Sequence, residues 1–122
     1  MASELKVAII QSDLVWENPT ENREQFERKI ATIPLDVALI VLPEMFSTGF
    51  SMDSKRISEK NKGESFSWMK KLAKDKNSSI VGSIATRDNN KYFNRLYYIK
   101  ASGEYQFYDK RHLFRMANEH KH

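Results

Sequence analysis

Val37-Ala38-Leu39-Ile40-Val41-Leu42-Pro43-Glu44 is an unbroken apolar run that ends in a proline and a carboxylate. Such a run, rich in Val, Ile and Leu, predicts a strand buried on both faces, as in a parallel sheet. A charge at the end of a buried strand costs free energy unless it is paired or used. A carboxyl held against apolar surface suits general-base work near neutral pH, so Glu44 is a candidate catalytic residue. The alternative at this point is a carboxylate that caps a loop or pairs with a surface lysine.

Working outward, the pattern predicts an α/β order of β-α-β-loop-α-β-β-β. Leu5 to Gln11 predicts a strand. Asn18-Pro19-Thr20 opens a helix, with Asn18 as N-cap and Pro19 at the first helical position. Phe26, Ile30 and Ile33 share one face of it, and Pro34 ends it. Asp36 to Leu42 forms the buried strand. Met45 to Lys62 reads as a long irregular loop after that strand, where functional loops of α/β folds tend to sit. Glu64 to Lys76 predicts a second helix with Phe66, Met69, Leu72 and Ala73 on one side. Ser79 to Thr86, Tyr92 to Lys100 and Tyr105 to Lys110 predict strands, joined by turns at Asp88-Asn89-Asn90 and Ala101-Ser102-Gly103-Glu104.

Size and composition narrow the function. The chain has 122 residues, 40% hydrophobic and 30% charged, enough for one domain with a core. Its net charge is +4. The basic residues are scattered and alternate with acids, which fits a solvated surface rather than a nucleic-acid face. No cysteine occurs, which excludes a disulfide framework or thiolate metal site within these residues and fits a reducing compartment. The N-terminus has no apolar h-region, and no apolar stretch approaches the roughly 20 residues that span a bilayer. The expectation is a soluble, cytoplasmic protein without membrane or nucleic-acid partners.

Two further segments carry chemistry. Tyr108-Asp109-Lys110-Arg111-His112-Leu113-Phe114 sets a lysine, an arginine and a histidine at the end of an aromatic strand. A charged strand end in water is the plain reading of Lys110. Beside a carboxylate, its amine would donate to an oxyanion formed in acyl transfer. Glu119 lies in Asn118-Glu119-His120. His112, His120 and His122 match no zinc spacing, and there is no phosphate-binding glycine loop and no G-x-S-x-G elbow, so no metal or cofactor is expected.

Taken together, Leu5 to Gln11, Leu42-Pro43-Glu44-Met45-Phe46, Tyr92 to Asn94 and Tyr108 to Phe114 resemble the nitrilase, or carbon–nitrogen hydrolase, superfamily in order and spacing. The longer strings LPEMFSTGFSM and YDKRHLFRMANEH resemble its omega-amidase branch. The resemblance covers essentially the whole chain, 1–122. It implies a nitrilase-type α-β-β-α sandwich, a small-molecule amide substrate (the terminal amide of a 2-oxo acid such as 2-oxoglutaramate) and a homodimer. It also implies a general base at Glu44, an oxyanion-stabilising lysine at Lys110 and a second glutamate at Glu119. The family nucleophile is a cysteine downstream of that second glutamate, and this chain has none. The expectation is therefore an N-terminal part of the domain, without turnover by itself, with apolar strand faces exposed and a tendency to aggregate. A non-catalytic remnant of the same ancestry is the alternative outcome. A small basic nucleic-acid-binding module is suggested by the pI of about 9.3 alone.

Overall fold

The computed structural model describes residues 5–49 and 54–112. One mixed sheet of six strands forms the frame; five run in the order β1 (Val7–Ile9), β2 (Leu39–Val41), β4 (Ser79–Asp88), β5 (Lys91–Ile99), β6 (Tyr105–His112), and the sixth, β3 (Glu59–Lys60), pairs with β4. β1, β2 and β4 run parallel, and β4, β5 and β6 are antiparallel neighbours. The helix α1 (Pro19–Ala31) links β1 to β2, and α3 (Glu64–Lys76) precedes β4.

Both long helices form where the sequence predicts them. The Asn18 side chain accepts from the Glu21 N–H at 3.1 Å, and Pro19 takes the first helical position, where its missing N–H is no loss. α3 closes on Asn77 in the left-handed conformation (φ 51°), with its N–H on carbonyls of the last turn. Phe26 and Ile30 from α1, and Phe66, Met69 and Ala73 from α3, bury against Ile40, Ile80, Ile84, Tyr97 and Ile99 of the sheet.

The stretch 45–62, expected to be irregular, contains two short elements: α2 (Ser54–Ile57) and β3 (Glu59–Lys60). β3 pairs in parallel with Thr86 and Arg87 of β4, while β2 pairs with residues 79–81 of the same strand. β3 thus extends β4 beyond the end of β2. Its sequence, Glu-Lys, has no apolar alternation to betray it. Phe50 and Ser51 of this stretch, like Glu119 and Leu113 to His122, lie outside the described residues.

The burial of β2 also differs from expectation. Ile40 and Leu42 are buried towards the helices, but Leu39 and Val41 are only half-buried. They belong to the second sheet face, which Met45 and Ile57 cover at Ala85 and which is open at β1 and β2 among the described residues. In-register pairing sets Ile9, Val41, Val81 and Tyr98 across this face in one row. The apolar run is uninterrupted because both its faces are apolar.

Candidate active site

Glu44 follows β2 at the point where the chain leaves the sheet. Leu42 still donates to the Val81 carbonyl (2.9 Å), and Met45 N–H then donates to Ser83 Oγ (2.8 Å). Met45 itself has φ 53°, an uncommon conformation for a side-chain-bearing residue, of a kind that clusters at functional sites. It is over-determined from several sides. Its carbonyl accepts from Thr48 and Gly49, and its side chain is buried with Ile57, Ala85 and Tyr92. Phe46 locks the next step. It stacks on Trp68 (5.4 Å), meets Phe26 edge-on (6.0 Å) and lies against Gly82, where a Cβ would come within 3.0 Å of its ring.

Asn22 ties this turn to the loop before α1. Its Nδ2 donates to the carbonyls of Val15 (2.7 Å) and Ser47 (2.8 Å), and its Oδ1 accepts from Val15 N–H and Gln25 Nε2. The amide is fully buried with both its donor and acceptor groups in use. Sequence reasoning passed over it. The signal was a polar residue four positions before Phe26, on the apolar face of α1.

Lys110 arrives from the opposite side of the sheet, on β6. The β5–β6 register shifts here: Arg95 faces Asp109 and Asn94 faces Arg111, so Lys110 is the extra residue of a β-bulge. Bulges re-aim side chains and recur beside active sites. The strand is fixed just before the bulge. Arg95 donates to both carboxylate oxygens of Asp109 (2.6 and 3.0 Å), to Asp88 (2.9 Å) and to Asn61 (3.1 Å). Its guanidinium also lies over the rings of Phe107 (4.2 Å) and Phe93 (5.1 Å). Arg95 is only 3% exposed, and the Asp109 carboxylate is the main reason its proton is held more tightly than usual.

The outcome is a direct contact. Lys110 Nζ donates to Glu44 Oε2 across 66 residues of sequence. Their side chains are 35% and 37% exposed, so the pair sits in a shallow opening rather than in the apolar burial expected of Glu44. On β5, between the strands that carry Ala85 and Arg111, Asn94 is fully buried with neither its Oδ1 nor its Nδ2 hydrogen-bonded. A buried polar group left unmatched costs about 1–3 kcal/mol.

A proton acceptor and a cation thus meet where a strand end and a bulge come together on one sheet. In chemical terms, a carboxylate can accept a proton and an ammonium can donate to a developing oxyanion, and here a rigid frame holds the two together. The chain belongs to the carbon–nitrogen hydrolase family, whose model matches residues 6–122. It is 40% identical to the omega-amidase YafV of Escherichia coli (strain K12) over 119 residues, which is 97% of this chain and 45% of the relative. It is 31% identical to the 2-oxoglutaramate amidase of Bacillus subtilis (strain 168), covering 93% of this chain and 45% of that protein. The solved structure of XC1258 from Xanthomonas campestris, a CN-hydrolase superfamily protein with an arsenic adduct in its active site, superposes with a TM-score of 0.87. It is 32% identical, covering 98% of this chain and 45% of that one. The chain therefore spans about half the length of these relatives.

Proposed function

We propose that the protein carrying this chain hydrolyses the terminal amide of a 2-oxo-dicarboxylic acid monoamide, as an omega-amidase does. The observation that carries the reading is the contact between Glu44 and Lys110. The likeness to enzymes named omega-amidase and 2-oxoglutaramate amidase supports the choice of substrate class.

In this reading Glu44 takes the proton of a thiol nucleophile. The thiolate attacks the amide carbonyl, forming the C–S bond, and the oxyanion takes a hydrogen bond from the Lys110 ammonium. The C–N bond then breaks, and the proton held by Glu44 leaves with ammonia. Water, deprotonated by the same carboxylate, cleaves the thioester and returns the thiol. The nucleophile is a cysteine supplied from outside these 122 residues, since they contain none. Glu119 is the second glutamate that orients substrate and lysine.

The test is ammonia release from 2-oxoglutaramate by the native gene product, whose mass is measured at the same time. A species well above 14.3 kDa with turnover is the expected result. Glu44→Gln and Lys110→Ala are each expected to lower kcat by about 100-fold or more, the scale of a lost general base or oxyanion donor. A native species of this length that binds no amide would make the chain a non-catalytic relative.

A further inference from the structure

Asn94 has no part in the reaction as described above, yet it is bracketed by neighbours of both reacting groups. On β6 it faces Arg111, the residue after Lys110, across the bulge that leaves Lys110 unpaired. On β4 it faces Ala85, which is buried against Met45, the residue after Glu44. Its carboxamide is sealed from solvent, with an unused acceptor and two unused donors. An unmatched amide in a packed sheet is expected to have a partner in some state of the molecule. A structural asparagine would look like Asn22, whose amide groups are all engaged.

The chemistry of the pair says what that partner is. An ammonium has three N–H donors. One reaches Glu44 and one is needed for the oxyanion. The third requires an acceptor once substrate displaces water from the opening. We propose that Asn94 is a positioning residue of this site: with substrate bound, its Oδ1 accepts the third N–H of Lys110 and its Nδ2 donates to the Glu44 carboxylate. The amide then holds acid–base group and oxyanion donor in one fixed relation. This inference rests on the amidase reading.

Asn94→Leu tests it, because leucine is close in volume and leaves no polar atom unmatched. The comparison is made in the full-length protein, with Glu44→Gln as the inactive control and Asn94→Ser as a variant that keeps a short polar group. Expected for Asn94→Leu is a fall in kcat of about 10- to 100-fold, the scale of a hydrogen bond to a charged group, with KM nearly unchanged and Tm unchanged or higher. Asn94→Ser should fall between it and wild type. Wild-type kcat in Asn94→Leu would overturn the inference while leaving the amidase reading intact. So would a loss of rate that tracks a loss of Tm in both variants, since that is a folding effect. Wild-type protein that releases no ammonia, like the Glu44→Gln control, would overturn the amidase reading and this inference with it.

Discussion

At the scale of single residues, the charges that meet in the candidate site and the buried amides of the fold differ in how they show in sequence. Glu44 and Lys110 stand out because each is a charge that follows an apolar or aromatic run in the sequence. Asn94 and Asn22 do not, because a neutral amide in a strand or helix reads as surface until the structure shows it buried. Tyr97 gives a test of this buried layer. Its ring is almost fully buried and its hydroxyl donates to Asn61 (3.0 Å), and burial is the main cause of its pKa lying above the ordinary value of 10.0. An unfolded tyrosine releases its proton near that value, so above it the unfolded state holds fewer protons than the folded one. The contribution of Tyr97 is thus fully present below pH 10 and is lost as pH rises through the folded pKa. Thermal melts are expected to show Tm falling more steeply above pH 10 in wild type than in Tyr97→Phe. Tyr97→Phe should also lose about 1 kcal/mol at neutral pH with the Asn61 hydrogen bond. Parallel alkaline slopes would remove Tyr97 as their source.

At the scale of elements, the helices were legible and the site's supports were not. Asn18-Pro19 and the apolar stripes of α1 and α3 are local signals, complete within one turn or two. The two-residue strand β3 exists only because β4 continues past the end of β2 and offers a free edge, a tertiary fact. The bulge at Lys110 is likewise a property of two strands together, and no single-strand periodicity reports it. Gly82 belongs here too. In the sequence it reads as a weakness within β4; in the fold it is the space into which Phe46 and Leu42 pack. Gly82→Ala would place a Cβ within 3.2 Å of both side chains and push the turn that carries Glu44. Loss of about 1–3 kcal/mol is expected from overpacking, read from denaturant midpoints. In the amidase reading, a shift passed through Phe46 to Met45 should also lower the kcat of the full-length protein. A Gly82→Ala protein of unchanged stability would mean that Phe46 and Leu42 move aside without strain.

At the scale of the whole molecule, the sheet has two faces: α1 and α3 cover one, while Met45 and, from α2, Ile57 cover the other only around Ala85. Ile9 is 72% exposed, Tyr108 67% and Val7 43%, and they share the open face with Leu39, Val41 and Val81. Contiguous apolar surface of this kind marks an interaction face or an aggregation liability. The strand β6 adds an edge without a further described partner on that side of the sheet. Burial is a strong driving force, about 25 cal/mol per Å² of apolar surface, so the face will be covered by whatever apolar surface is present. For the 122 residues alone, the available surface is a second copy. Sedimentation at micromolar concentration is therefore expected to show self-association that strengthens with salt, as apolar contacts do and surface ion pairs do not. Ile9→Lys with Tyr108→Lys should shift the population towards monomer while the helical circular dichroism of α1 and α3 is retained, since neither residue touches the helix-side core. A monomer in the unsubstituted chain at all concentrations would show that Val7, Ile9 and Tyr108 are not an adhesive face. The open face would then be no obstacle to the sheet that holds Glu44 and Lys110 standing by itself.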